Sequence, residues 1–234
     1  MNRIWQPSRQ LLNCLFPNFC VACHGLIEAE QGLCQHCLDD LVLFDLIKHH
    51  NLLHRPDIVN TFADCRFDHL IACAWYQAPF KHWLKKLKFS DQIHYKKALQ
   101  QVILKQLTLA HRVNQHWPTE FIIMPLHNQR YLQRGYNQVS QTWLPCLNQL
   151  NLPISNALIK NKATQPQSTL SKAKRVKNLK GAFICQQSMH GKTVAIIDDV
   201  MTSGATLNAA TEALKHAGAK QVWALLTCLT PLHH

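Results

Sequence analysis

Residues 192–219, KTVAIIDDVMTSGATLNAATEALKHAGA, constrain the fold of this chain more than any other stretch. The run 192–198 is apolar and β-branched, the pattern of a buried strand. ATLNAATEALKHAGA has helical spacing, with Gly218 as its natural stop. A strand that turns straight into a helix is half of a βαβ unit. The pattern recurs along the chain. HLIACAWY (69–76), EFIIMPL (120–126), NALIK (156–160), GAFIC (181–185) and QVWALLTCL (221–229) read as strands. Between them fall PFKHWLKKLKFSD, opened by Pro79 and with Trp83, Leu84 and Leu87 at helical spacing, and the amphipathic HYKKALQQVILKQLTLAHRV (94–113). NQVSQTWLPCLNQ (137–149) is a further helix, which Pro145 is expected to bend or shorten. Strands alternating with helices imply an α/β fold, a parallel sheet flanked by helices. In such sheets ligands sit beyond the carboxyl ends of the strands, where residues 198–206 fall.

The chemistry of that edge is specific. Gly204 lets the backbone turn and approach a ligand. The free N–H groups of the first helical turn carry partial positive charge, and Thr202, Ser203 and Thr206 add hydroxyls. Together these form a phosphate cradle. Asp198 and Asp199 would repel a bare phosphate, but they suit a ligand that also presents vicinal hydroxyls, so the combination reads as a ribose 5-phosphate clamp. Two other readings compete. An apolar strand ending in acids also occurs in P-loop NTPases, but GKT at 191–193 has Gln186 where the first glycine belongs and precedes the strand it should follow. An ordinary strand-to-helix turn with a threonine cap is the plainest alternative.

Charge supports an anionic ligand. The chain carries a formal net charge of +12, which draws polyanions or leaves a merely soluble basic surface. Its distribution is sharper. From Phe121 to Ile197 there is no Asp or Glu, while ten Lys and Arg fall in the same segment. No window approaches the roughly 18 uninterrupted apolar residues that a membrane helix needs, so no membrane span is expected.

The N-terminal region carries Cys20-x2-Cys23-x10-Cys34-x2-Cys37, the spacing of a four-thiolate zinc site. All-cysteine coordination leaves no open position, so the zinc would be structural. His24 and His36 lie beside a shell that four cysteines already fill. Two disulfides are the alternative. The N-terminus has no secretory pattern, so a reducing, cytoplasmic setting is expected. The chain then divides into a cysteine module (1–45), a connection without periodicity (46–66) and an α/β domain (67–234). Basic and aromatic residues interleave in PFKHWLKKLKF. Lys81, Lys85 and Lys88 with Trp83 and Phe89 could track a single strand of nucleic acid, or the helix simply buries Trp83 and Leu87 with its lysines in water.

Taken in order, CVAC…CQHC, LKKLKFSD, MPLHNQRYLQRGYNQ, TQPQSTLSKAKRVKNLKGAF and IIDDVMTSGAT resemble the ComF/GntX family, over roughly residues 14–230. That resemblance implies a type I phosphoribosyltransferase domain behind a zinc module. The domain would bind 5-phosphoribosyl-1-pyrophosphate (PRPP) with Mg2+. Asp198 and Asp199 match the ribose-contacting acids, and Thr202, Ser203, Gly204, Ala205 and Thr206 match the 5-phosphate loop. Ser203 replaces the usual threonine. Arg130 falls in the pyrophosphate loop, and Arg134, Gln167, Arg175 and Asn178 match positions near a flap. Lys160 stands where many relatives have Arg, which removes the bidentate fork there. The resemblance also implies a role in DNA uptake during natural transformation, with the competence machinery and single-stranded DNA as partners. It leaves open whether the domain turns over as a transferase, since no acceptor site is identifiable.

Overall fold

A computed structural model describes residues 18–28, 31–87, 93–126, 136–161, 179 and 181–231. Its centre is a four-stranded, all-parallel sheet built from β3 (His69–Trp75), β4 (Glu120–Ile123), β7 (Thr193–Met201) and β8 (Gln221–Leu229), in the order β3-β8-β7-β4. The two central strands are the most apolar. Val222 to Leu229 are all buried, as are Val194 to Ile197. Covered on both faces, they read as continuous rather than alternating hydrophobic runs.

Helices α4 (Ile93–Val113) and α5 (Gln138–Gln149) pack on each other, α4 against β3 and α5 against β7. The indole N–H of Trp143 on α5 donates to Thr227 Oγ1 on β8 at 3.0 Å. Helix α6 (Ala205–His216) crosses from β7 to β8 and packs on both. It ends where expected, at Gly218 with φ 95°. Shorter helices α2 (Pro56–Thr61) and α3 (Phe80–Lys86) flank β3 in sequence.

Three expectations differ in detail. Strand β7 runs on to Met201, so both aspartates lie inside the strand and the turn shrinks to residues 202–204. Strands β5 (Leu158–Lys160) and β6 (Phe183–Cys185) pair antiparallel with each other, apart from the main sheet. Helix α5 is neither shortened nor ended at Pro145. The carbonyl that proline leaves without an amide, that of Gln141, accepts instead from Gln100 Nε2 on α4 at 2.9 Å.

Segment 46–66, which shows no periodicity, contains a 3-10 turn (Leu52–His54) and α2, and buries Leu46, Leu52, Ile58 and Phe62. Asn51 within it accepts from the N–H of Leu70 on β3 and donates to the Asp68 carbonyl, so it ties the segment to that strand. The cysteine region holds a two-stranded hairpin, β1 (Asn18–Phe19) with β2 (Leu26–Ile27), and a short helix α1 (Gln35–Asp39). It docks on α4. Lys105 pairs with Asp39, and Cys20 and Leu33, wholly buried, join the one hydrophobic core. Among the described residues, no helix is long and apolar enough to cross a membrane.

Candidate functional site

The acids sit where β7 reaches the carboxyl edge of the sheet, and the backbone holds each of them. Asp198 Oδ1 accepts from the N–H of Asp199 at 2.9 Å, and Asp199 Oδ1 accepts from the N–H of Val200 at 2.7 Å. Among the described residues, neither carboxylate closes an ion pair. Burial, and next the Asp199 carboxylate, push the Asp198 pKa well above the usual carboxylate range. The N–H of Asp199 and the charge of Lys160 pull the other way. Lys160, on β5, holds its ammonium 5.5 Å from the centre of the Phe183 ring. Its charge reaches Asp198.

After Met201 the chain turns through Thr202, Ser203 and Gly204. Gly204 has φ 72°, the left-handed conformation that favours glycine, and caps α6. The first helical bond runs from the N–H of Asn208 to the Gly204 carbonyl at 2.8 Å. The N–H groups ahead of Asn208 thus belong to the open first turn. Asp198 and residues 200–207 line a small cavity of about 250 Å³, counting space open to solvent. A cavity does open over Gly204, with the strand acid at one end and the helix N-terminus at the other.

A contact absent from the sequence reading walls this turn. Asn208, on α6, donates through Nδ2 to the Asp64 carbonyl at 2.7 Å and accepts at Oδ1 from the Arg66 N–H at 2.9 Å. Arg66 also pairs with Glu212 one turn further on. Cys65 is thereby held with its sulfur 3.8 Å from where a Cβ on Gly204 would lie. Burial, then the Asp64 carboxylate, push the Cys65 thiol up to about 12, so it stays protonated and unreactive. Nothing local in the sequence signals this pairing, since its partners are more than 140 residues apart.

Of the other expected contacts, Arg130, Arg134, Gln167, Arg175 and Asn178 lie outside the described residues. The end of the RGYNQ motif is described, and it frames the loop after β4. Asn137 Nδ2 donates to the Met124 carbonyl at 3.1 Å while its Oδ1 caps the Val139 N–H, and the Tyr136 hydroxyl donates to the Leu87 carbonyl. On α3, Trp83 is buried and Lys81 and Lys85 are exposed, so that aromatic is unavailable for stacking. Lys88 and Phe89 lie outside the described residues.

At the N-terminal module, one sulfur from each of Cys20, Cys23, Cys34 and Cys37 falls within 4.8 Å of the others. Cys23 Sγ and Cys34 Sγ are 3.8 Å apart. A tetrahedron with metal–sulfur bonds of about 2.3 Å has edges of about 3.8 Å, so the spacing fits a zinc-sized ion. Backbone amides already point at the sulfurs, Gly25 N–H at Cys23 and Cys37 N–H at Cys34. Burial opposes the Cys20 thiolate, yet the backbone amides of Cys23, Cys34 and Ala22 outweigh it and bring its pKa down to about 6. Hydrogen bonding to Cys34, then burial, push Cys37 the other way. The four side chains can hold a metal ion.

A parallel sheet whose central strand carries two adjacent aspartates near its carboxyl end and turns through glycine into a helix is the setting expected of a phosphoribosyltransferase-type domain. The family model for the phosphoribosyl transferase domain matches residues 147–231. Competence protein F of Haemophilus influenzae is 29% identical over 225 residues, which span 90% of this chain and 97% of that protein. DNA utilization protein YhgH of Escherichia coli is 32% identical over 164 residues, 68% of this chain and 72% of that protein. Competence protein ComFC of Streptococcus pneumoniae is 24% identical over 147 residues, 63% of this chain and 62% of that protein. The chain belongs to the ComF family of proteins with a phosphoribosyltransferase domain.

Proposed function

We propose that this domain binds PRPP or a related ribose 5-phosphate ligand in the service of DNA uptake and utilisation. The observation that carries the reading is the acid pair at the end of β7, set against a glycine turn at the N-terminus of α6. The 5-phosphate would lie against the Thr202–Thr206 turn, with the amides and hydroxyls of that turn as its donors. Asp198 and Asp199 would accept from the ribose hydroxyls. Mg2+ bound with the pyrophosphate would supply positive charge that neutralises part of its anionic charge. Arg130, Arg134, Gln167, Arg175 and Asn178, with the acid-free segment around them, would supply the remaining counter-charge. Catalysis in such a site would be positioning plus electrostatic stabilisation of departing pyrophosphate, which defines the activity to assay. Zinc in the four-cysteine site would be structural, and the setting cytoplasmic.

The names of two relatives support the DNA side of the reading, since one is a competence protein and another a DNA utilization protein. A second reading, a factor that handles single-stranded DNA without transferase turnover, draws on the exposed Lys81 and Lys85. Calorimetric titration with PRPP and magnesium tests the first. Asp198→Asn with Asp199→Asn should abolish the binding without unfolding the protein. Wild-type protein that takes up no PRPP sinks the reading. Persistence of DNA binding in the double variant would separate the pocket from the second role. Charge reversal at Lys81 and Lys85 should lower the salt dependence of DNA binding, and an unchanged slope removes those residues from it.

A further inference from the structure

The sign of the charge changes between the cysteine module and the rest of the chain. Residues 10–47 hold five of the 13 carboxylates and no Lys or Arg. All 25 Lys and Arg lie outside that stretch, against eight carboxylates. Glu28, Asp39, Asp40 and Asp45 are exposed, and Lys105 answers one of them, Asp39. At physiological salt, charges farther off than about 8 Å are screened, so an approaching partner meets the sign of the module rather than that of the whole chain. The same stretch exposes apolar side chains. Seven large hydrophobics are exposed among the described residues, and Phe19, Leu26, Val42 and Ile47 are four of them. Phe19 on β1 stands directly opposite Leu26 on β2. Side chains alternate along a strand, so Cys20 and Ile27 turn to the core while this pair faces out, Phe19 46% and Leu26 72% exposed. The outer face of a hairpin is where polar residues are expected, and here it carries a paired phenylalanine and leucine.

We infer that the outer face of the cysteine hairpin, Phe19 and Leu26 with Glu28 two residues on, docks a basic amphipathic segment of another protein. Apolar side chains of that segment would cover the Phe19–Leu26 pair, and its cations would meet the acids of the module. The charge selects the occupant. A phosphate backbone would meet like charge there, so the face does not suit nucleic acid. Four thiolates outnumber the charge of one divalent ion, so a filled metal site would add to the negative charge rather than remove it. A second copy of the chain would bring its whole net charge of +12 with it, whereas a short basic segment meets only the local acids. The inference concerns a different surface from the Gly204 turn and does not depend on what that turn binds.

The test is fluorescence anisotropy on the full chain with a labelled synthetic peptide of leucine and lysine at helical spacing. Two control peptides replace its lysines by glutamate or its leucines by serine. The leucine–lysine peptide should bind and both controls should not. Phe19→Ser with Leu26→Ser should weaken that binding about tenfold while metal content and melting temperature stay as in wild type. Glu28→Lys alters one exposed charge, so it carries the test even where the double serine variant unfolds the module. It should weaken the peptide and flatten the salt dependence of its binding. A leucine–lysine peptide that fails to bind overturns the inference, as does a leucine–glutamate peptide that binds equally well. Affinity and salt slope unchanged by Glu28→Lys overturn it too. An oligothymidylate that loses affinity in the double serine variant would make the face a nucleic-acid site. A dimer in sedimentation that the same variant abolishes would assign the face to a second copy. Either result overturns the basic segment as its occupant.

Discussion

Gln101 pairs with Leu33 as one strand residue pairs with another. Its Oε1 accepts from the N–H of Leu33 at 2.7 Å, and its Nε2 donates to the Leu33 carbonyl at 3.1 Å. The same Oε1 accepts from the N–H of Gly32 at 2.8 Å. One side chain on α4 thus satisfies the backbone of the cysteine module at a buried point. Gln101→Leu would leave two amides and a carbonyl without partners, at a cost of about 2–4 kcal/mol in denaturant unfolding. A change below about 0.5 kcal/mol would mean that water replaces the side chain.

Gly32 tests the same junction by volume. A Cβ there would fall 2.2 Å from the backbone nitrogen of Ala98 on α4, and backbone cannot step aside as a side-chain tip can. Gly32→Ala should destabilise the protein by about 1–3 kcal/mol and loosen the module. Faster labelling of the four thiols by an alkylating reagent would report the loosening. Labelling at the wild-type rate would contradict it.

Metal removal should act on the same region. One zinc per chain is expected by elemental analysis, and chelation or Cys34→Ser should lower the melting temperature. Ellman titration after chelation should release four additional reactive thiols. Retention of the full melting temperature in metal-free protein would count against a structural ion.

Asp198 makes stability depend on pH in a definite direction. Its folded pKa is raised, so the folded state holds a proton that the unfolded chain releases. The carboxylate is therefore destabilising above its folded pKa. The penalty fades as pH falls toward the ordinary carboxylate value of about 3.9. Asp198→Asn should accordingly be more stable than wild type at pH 7.5, and the gap should close on acidification. A gap that stays constant between pH 7.5 and pH 4 would show that the acid is not strained by its burial.

Pro145 and Gln100 provide a thermodynamic cycle. Gln100→Ala orphans the Gln141 carbonyl and should cost about 1 kcal/mol. Pro145→Ala restores an amide at that carbonyl from within the helix, so in its background the Gln100→Ala loss should largely vanish. Additive effects of the two substitutions would deny that they serve the same acceptor.

What the sequence makes visible and what it hides follow from how local each cause is. Strand β8 is legible from end to end because it is apolar throughout, and the turn at Gly204 announces itself by its glycine and hydroxyls. Trp83 reads correctly as a core residue because its spacing with Leu84 and Leu87 is helical. The end of β7 is harder to place, because two adjacent acids resemble the start of a loop when their own backbone neighbours in fact hold them in extended conformation. Segment 46–66 carries no period, yet Leu52, Ile58 and Phe62 reach the core from it. Gln100, Gln101 and Asn208 are silent in sequence. Each is a polar helix residue like many others until a chain segment more than 40 residues away comes to rest against it.

The anchoring of the cysteine module has a consequence for synthesis. Its partner Gln101 lies 68 residues beyond Leu33, and at about 5–20 residues per second a ribosome needs several seconds to make that stretch. Through that interval the four thiols have left the peptidyl-transferase centre while their dock has yet to be made. An ion that the four thiols can hold would therefore be within reach of the nascent chain before the sheet that docks the module is complete.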